Sequence, residues 1–126
     1  MKTTIKPVLS VRNGSAAIDF YINAFGAEEL MRVTGDDGSV VAELSIYGAG
    51  FFLADESPSN GNFSPETIGG NSIRMELSVE DPDIVFAKAL AAGAKEIYPV
   101  ADQDYGFRLG RLADPFGHHW EISKPL

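Results

Sequence analysis

An internal repeat constrains this chain more than any other feature of its sequence. The tripeptide Leu9-Ser10-Val11 recurs as Leu77-Ser78-Val79, 68 positions later. Each copy leads into a helical pattern that ends at a glycine, Gly26 in the first copy and Gly93 in the second. Because the offset is slightly more than half of the 126 residues, the sequence predicts two copies of one supersecondary unit packed as a single domain.

The composition and charge limit the classes of function. The chain has no cysteine, which excludes disulfides, thiolate metal sites and cysteine nucleophiles. A net charge of −8 argues against nucleic acid, whose phosphates require clustered Lys and Arg. The start of the chain lacks a long apolar segment, and no stretch approaches the length of a membrane span. We therefore expect a cytoplasmic protein that binds neither nucleic acid nor membrane.

The pattern of apolar and polar residues predicts the same order of elements in each half. In the first half we expect a strand at 6–11, a helix at 16–25, and strands at 30–33, 39–46 and 51–55. In the second half we expect a strand at 73–79, a helix at 82–92, and strands at 97–100, 107–113 and 119–123. The fold class is therefore α+β: two βαβββ modules forming a cupped mixed sheet with helices on the outer face.

The boundaries of the modules follow from composition. The first module covers about 1–55 and the second about 72–126, within a single domain of 1–126. Residues 56–71 are rich in Ser, Pro, Asn and Gly and have no apolar period, which indicates a linker. Strand parity then separates an apolar sheet face, which should carry the helices, from a polar face. The polar face is either a concave ligand surface or ordinary solvent-exposed surface.

Several motifs together resemble one known family. They are Ile18-Asp19-Phe20-Tyr21, Phe25-Gly26, the βαβββ repeat, and the run from Asp114 to Ile122, which reads Asp-Pro-Phe-Gly-His-His-Trp-Glu-Ile. This combination resembles the vicinal oxygen chelate superfamily, which includes glyoxalase I, extradiol dioxygenases, and fosfomycin and bleomycin resistance proteins. The segments 99–103 and 105–108 look like its PhnB-like branch. The resemblance implies the fold given above but leaves the function open, because the superfamily contains lyases, dioxygenases, epimerases and non-catalytic drug binders.

The resemblance also implies where a metal ion would bind. In metal-dependent members, one side chain from the first and one from the last strand of each module coordinate a divalent ion. These positions map to Lys6 and Leu53 in the first module and to Arg74 and Glu121 in the second, and both pairs of equivalents are 68 apart. Only Glu121 can ligate a metal.

The magnitude of the repulsion decides what we expect at these positions. A cation about 5 Å from a divalent ion is repelled by roughly 6–7 kcal/mol at an effective dielectric constant of about 20. Two such cations offset most of the roughly 10–16 kcal/mol that a full structural zinc site provides. We therefore expect neither a metal nor another cofactor.

The candidate ligand-binding residues are those assigned to the predicted cup. Its polar members are Lys6, Glu43, Arg74, Glu76, Arg111, His119 and Glu121, and its apolar members are Phe51, Leu53, Tyr105 and Phe107. The charges either pair with one another or leave a cationic pair that holds an anionic or carbonyl-bearing ligand. His119 and Glu121 are also candidates for a catalytic acid and base, with ordinary hydrogen bonding as the alternative.

The leading hypothesis is a metal-free protein that binds a small molecule, as PhnB-like and bleomycin resistance proteins do. The alternatives are a metal-dependent lyase or dioxygenase of the glyoxalase type, and a metal-free enzyme that uses His119 and Glu121. We expect a homodimer, because superfamily members of this size often pair and two-fold dimers are the commonest small assemblies.

Overall fold

The computed structural model describes all 126 residues and contains two modules with the order strand, helix and three strands. The first module contains β1 (Val8–Val11), α1 (Gly14–Phe25), β2 (Glu28–Thr34), β3 (Val40–Ile46) and β4 (Ala49–Asp55). The linker contains a 3-10 turn (Pro58–Asn60) and a short helix, α2 (Pro65–Ile68). The second module contains β5 (Arg74–Ser78), α3 (Pro82–Ala91), β6 (Lys95–Asp102), β7 (Phe107–Ala113) and β8 (His119–Pro125). The predicted α+β fold with two βαβββ modules is confirmed.

Each module forms its own four-stranded mixed sheet. The strand orders are β1-β4-β3-β2 and β5-β8-β7-β6. The first strand of each module runs parallel to the last, whereas the remaining pairs are antiparallel. Each sheet therefore has two edge strands, β1 and β2 in the first and β5 and β6 in the second, and proteins usually cover such edges.

The two long helices begin and end where the local sequence dictates. Asn13 caps α1 by accepting a hydrogen bond from the backbone N–H of Ala16 at 3.1 Å, and Gly26, with φ of 68°, ends the helix. Asp81 caps α3 in the same way, and Pro82 occupies the first turn, where its missing N–H is not needed. Neither these helices nor α2 is long and apolar enough to cross a membrane.

One hydrophobic core is shared by both modules. The ring of Tyr21 on α1 lies 5.4 Å from the ring of Phe51 on β4 and 5.5 Å from that of Trp120 on β8, measured between centroids. Trp120 and Tyr21 are the two largest fully buried side chains of the chain. The first helix therefore packs against the apolar faces of both sheets, and apolar burial across this contact holds the modules together.

A buried carboxylate joins the β7–β8 turn to α1. Asp114 accepts hydrogen bonds from the Tyr21 hydroxyl, from Trp120 Nε1 at 2.9 Å, and from the backbone N–H groups of Phe116 and His118 at 2.9 and 3.0 Å. All four donors lie within the core or its adjoining turn, so the buried charge is fully satisfied. His118 adds a contact from its Nε2 to the Ser10 carbonyl oxygen at 2.9 Å.

The β3–β4 and β7–β8 turns differ in length by one residue. In the first module Ile46 pairs with Ala49, which leaves two residues between them. In the second, the backbone N–H of Asp114 bonds to the His118 carbonyl at 2.8 Å, which leaves three residues between them. The repeat offset therefore changes from 68 before the turn to 69 after it, and this shift changes which side chains are equivalent.

Candidate functional site

Strand register identifies the side chains on the face of each sheet that lies opposite the helices and the shared core; this face corresponds to the predicted cup, and we call it the outer face. In the first module Phe52 pairs with both Val8 and Glu43, whereas Leu53 pairs with the buried Leu9. Because successive side chains of a strand alternate between faces, Phe52 belongs to the outer face and Leu53 to the core. The same register places Arg74, Arg111, His119 and Glu121 on the outer face of the second module.

The predicted cup positions of Phe51 and Leu53 are wrong. Phe51 is 3% exposed and Leu53 is fully buried, and both belong to the shared core. The cause is the one-residue difference between the two turns, since a slip of one residue moves every side chain of a strand to the opposite face. The residue equivalent to Glu121 is therefore Phe52, 69 positions earlier.

The first charge cluster consists of Lys6, Glu43 and Phe52. The Nζ atom of Lys6 lies 2.6 Å from Oε2 of Glu43 and 5.7 Å from the centroid of the Phe52 ring. This arrangement neutralises the lysine and stacks it on an aromatic face. The single carboxylate of this cluster is already paired with an ammonium, so a divalent ion here would have to compete with that cation.

The second charge cluster consists of Arg74, Tyr98, Arg111 and Glu121. Oε2 of Glu121 accepts hydrogen bonds from Arg111 Nη2 at 2.8 Å and from the Tyr98 hydroxyl at 3.1 Å. Its other oxygen, Oε1, lies 3.4 Å from Nε of Arg74. The guanidinium of Arg111 also lies over the Tyr98 ring, 5.2 Å from its centroid. Both carboxylate oxygens of Glu121 are thus occupied by cations.

These contacts set the ionisation of the second cluster. Burial acts to raise the pKa of Glu121, but the hydrogen bonds from Arg111 and Tyr98 and the two arginine charges together outweigh it, so that the pKa lies below its ordinary value. Burial, followed by the hydrogen bond to Glu121, raises the pKa of Tyr98. Glu121 is therefore a carboxylate at neutral pH, and two arginines oppose its protonation.

The other predicted site residues form no hydrogen bond or ion pair with these clusters, although Glu76 lies opposite Glu121 in the strand register. Glu76 accepts hydrogen bonds from Ser78 Oγ at 3.0 Å and Ser123 Oγ at 2.5 Å. His119 is opposite Arg74 in the strand register, and its side chain makes no hydrogen bond. Tyr105 and Phe107 contact each other at the β6–β7 turn, with ring centroids 6.3 Å apart.

The structure does not bring the four mapped metal positions together. Every ion pair of the two clusters joins residues of the same module, and no hydrogen bond connects one cluster with the other. No group of three or more His, Cys, Asp or Glu side chains is arranged to hold a metal ion. With Lys6, Phe52, Arg74 and an occupied Glu121 at the mapped positions, the residues do not fit a divalent ion.

Two residues of the clusters were absent from the sequence-based set. Phe52 was missed because the offset of 68 was applied to the strands on both sides of two turns that differ in length. A comparison of the two turns would have identified Phe52 as the equivalent of Glu121. Tyr98 was missed because β6 has register shifts on both sides of this residue, so that parity cannot be counted along the strand.

The comparisons with known proteins agree with this fold. The family model described as Glyoxalase/Bleomycin resistance protein/Dioxygenase superfamily matches residues 4–122. An uncharacterized protein of Mycobacterium bovis is 40% identical over 130 residues, which cover 100% of this chain and 86% of that protein. The crystal structure of a gene product from Arabidopsis thaliana is 29% identical, with a TM-score of 0.73 and 97% of each chain covered.

A fourth comparison extends the likeness of fold. The genomically encoded fosfomycin resistance protein FosX from Listeria monocytogenes has a TM-score of 0.78 at 16% identity, over 100% of this chain and 95% of that chain. At this identity the likeness is one of fold alone. The matched family model spans nearly the whole chain, from the first strand to the last. This protein belongs to the glyoxalase/bleomycin resistance protein/dioxygenase superfamily.

Proposed function

We propose that this chain is a metal-free small-molecule-binding protein whose ligand is held on the outer faces of its sheets. The observation that supports it most strongly is the state of Glu121. It is the only mapped position with a metal-ligating side chain, and its two oxygens already contact Arg74, Arg111 and Tyr98. A metal would have to displace these partners while approaching two guanidinium groups, which is electrostatically unfavourable.

Arg74 is the group best placed to bind a ligand. Its side chain is 55% exposed, and its shortest approach to Glu121, from Nε to Oε1, is 3.4 Å. The terminal nitrogens of the guanidinium make no hydrogen bond within the chain, so the planar fork is free to bind a carboxylate, a phosphonate or a carbonyl oxygen. Glu76 lies opposite Glu121 in the strand register, so Arg74, Arg111, Glu76 and Glu121 carry no net charge, and it is the exposed guanidinium of Arg74 that favours an anionic group on the ligand.

We further propose that the binding site is completed in a homodimer. The two charge clusters make no contact within one chain, and neither β1 nor β5 has a strand on its free side, where His118 contacts the Ser10 carbonyl of β1. Val8 and Val33 lie on the outer face of the first module and are 62% and 60% exposed. Pairing the first module of one copy with the second module of another would cover these edges and bring Lys6 toward Arg74 of the partner copy.

The finer placement in the PhnB-like branch also belongs to this proposal. It rests on the segments 99–103 and 105–108, which lie at the end of β6 and the start of β7. The enzyme alternatives receive less support from the geometry. An acid–base mechanism that uses His119 and Glu121 needs Glu121 to exchange protons as well, whereas its partners hold it ionised and it forms no hydrogen bond with His119.

A pair of matched triple variants tests the proposed loss of the metal site. In the proposed homodimer, Lys6→His and Phe52→Glu of one copy and Arg74→His with Glu121 of the other place four donors together, and we expect this variant to bind Zn²⁺ measurably in calorimetry. The control carries Lys6→His, Leu53→Glu and Arg74→His, and its glutamate points into the core. If the two variants bind Zn²⁺ equally, or if the native chain binds it as well as the Phe52→Glu variant does, the proposal is wrong.

Ligand binding itself is tested with small carboxylates and phosphonates. We expect some of these compounds to raise the melting temperature of the native protein and to have no such effect on Arg74→Gln. Arg108→Gln is the control, because Arg108 binds Asp83 and Asp102 elsewhere on the surface. If a compound raises the melting temperatures of the native protein and of Arg74→Gln equally, it does not bind at the Arg74 guanidinium.

A further inference from the structure

A cleft of about 780 Å³ lies beside the β3–β4 turn, outside both charge clusters. Tyr47 forms one wall, and the end of β5, the start of α3 and the end of β8 form the others. Its apolar surface comes from the Tyr47 ring and from Val79, Ile84 and Val85. The volume lies within the range of roughly 300–1,000 Å³ that is usual for small-molecule sites.

Unequal filling of equivalent spaces in the two modules accounts for the cleft. At the end of β1, His118 bonds to the Ser10 carbonyl at 2.9 Å, and the Phe116 ring packs 6.2 Å from that of Phe20. The equivalent space at the end of β5 faces the shorter turn, Tyr47-Gly48. On α3, Lys88 stands at the position that matches Phe20, 68 residues earlier. Aromatic side chains therefore fill the space at the end of β1, whereas the equivalent space at the end of β5 stays open.

Tyr47 is held in an unfavourable backbone conformation beside this space. With φ of 48° it is the only non-glycine residue of the chain with a positive φ, at a turn position where Asn, Asp or Gly is preferred. Its hydroxyl lies 3.1 Å from the place a Cβ of Gly26 would occupy, so the ring rests against the end of α1. Strained residues of this kind concentrate at ligand sites, and Tyr47 as a whole residue is 90% exposed.

The charges around the cleft determine which ligand it suits. Two carboxylates, on Glu80 and Asp81, and one ammonium, on Lys124, line the space, which gives one net negative charge. Neither Glu80 nor Lys124 forms an ion pair, and Asp81 uses one oxygen to cap α3. We propose that this cleft is a second ligand site, which binds an apolar, ring-containing molecule carrying one positive charge.

Two dansyl probes of opposite charge test this proposal on the intact protein. Dansylcadaverine carries an amine, and 6-(dansylamino)hexanoate carries a carboxylate on a chain of similar length. We expect dansylcadaverine to bind saturably, with one dye per chain and a rise in fluorescence, and to bind about tenfold or more tightly than the anionic probe at low salt. The Glu80→Gln variant should lose most of this preference.

Variants of the apolar wall locate the bound probe. Tyr47→Asn removes the ring and relieves the turn, and Ile84→Lys adds a cation where a side chain is 66% exposed. We expect each to weaken dansylcadaverine binding about tenfold or more, because apolar contact is lost. Leu30→Lys, at a side chain that is 52% exposed on β2, is the control and should bind as the native protein does.

Three results would overturn the proposal. One is the absence of saturable binding of dansylcadaverine to the native protein. Another is that Leu30→Lys weakens dansylcadaverine binding as much as Tyr47→Asn and Ile84→Lys do. The third is a change of molecular mass in light scattering when Ile84→Lys is introduced, because the cleft would then be a contact between copies of the chain. Retained binding in Arg74→Gln separates this site from the proposed site on the outer faces.

Discussion

At the scale of single residues, Glu121 connects more charged groups than any other outer-face side chain. It is 14% exposed, whereas Arg74 and Arg111 are 55% and 24% exposed. The pair with Arg111 is thus partly desolvated, and the pair with Arg74 is largely solvated. We expect Glu121→Gln to lower the free energy of unfolding by about 1–2 kcal/mol, between the values for exposed and buried pairs.

Urea denaturation of the Glu121→Gln variant measures this effect. Glu43→Gln is the matched control, because Glu43 has one cationic partner, Lys6, and its loss should cost about 1 kcal/mol or less. If Glu121→Gln loses no stability, the partly buried charge of Arg111 does not need this carboxylate as its partner. A loss above about 3 kcal/mol would mean that the charges of Arg74, Arg111 and Glu121 mainly stabilise the sheet and are not available to bind a ligand.

The depressed pKa of Glu121 predicts a pH dependence of stability. Because the folded pKa lies below the unfolded value of about 4.3, the contribution of Glu121 is complete above that pH and is lost as the pH falls through the folded pKa. We expect the unfolding free energy of the native protein to decrease more steeply below about pH 4.3 than that of Glu121→Gln. Parallel slopes for the two proteins would show that Glu121 does not titrate abnormally.

The same residues show how far the sequence determines the site. Lys6, Glu43, Arg74, Arg111 and Glu121 were all predicted to share polar faces, because period-two alternation in a strand can be counted directly from the sequence. Phe51 and Leu53 could not be placed in this way, since their face depends on the length of the preceding turn. Hydrogen-bond closure decides that length, and the repeat alone did not reveal it.

At the scale of elements, the β7–β8 turn and α1 form the principal polar contact between the modules. Burial, followed by the charge of Asp114, raises the pKa of Tyr21 well above its usual value, so its hydroxyl stays protonated and donates to Asp114. We expect Tyr21→Phe to lower the free energy of unfolding by about 1–2 kcal/mol. Calorimetric melts can measure the loss, and a neutral effect would mean that the other three donors suffice for Asp114.

Tyr105→Phe provides the matched control for this prediction. Tyr105 is 59% exposed, and its hydroxyl makes no hydrogen bond within the chain. Its loss should change the free energy of unfolding by no more than about 0.5 kcal/mol. Comparable losses in the two variants would show that the method does not report on the Asp114 contact.

Sequence patterns identified the long elements better than the short ones. Caps at Asn13, Gly26 and Asp81 use local chemistry and were visible in the sequence. The linker helix α2 was missed because its four residues are too few to show an apolar period, although Ser64 caps its start by accepting a hydrogen bond from the Thr67 backbone N–H and Gly69 ends it. Glu56 accepts hydrogen bonds from Ser64 N and Thr67 Oγ1, both at 2.9 Å, and thereby fixes the approach to this helix.

At the scale of the whole molecule, the open edges of β1 and β5 predict self-association. We expect light scattering at micromolar concentration to give twice the chain mass of 13.5 kDa. Val8→Lys places a charge on the exposed outer face of the β1 edge strand, and we expect it to give a monomer. Leu30→Lys, on the opposite edge of the same sheet, should remain a dimer, and a monomeric native protein would contradict the prediction.

The absence of a divalent ion is the central claim of this account. Lys6 and Arg74 occupy two mapped positions, the structure places Phe52 at the third, and arginines already hold Glu121 at the fourth. Elemental analysis of protein purified without chelators tests the claim most directly. We expect zinc, nickel, iron and manganese each to be far below one ion per chain. One ion per chain that is lost in Glu121→Gln would contradict the account.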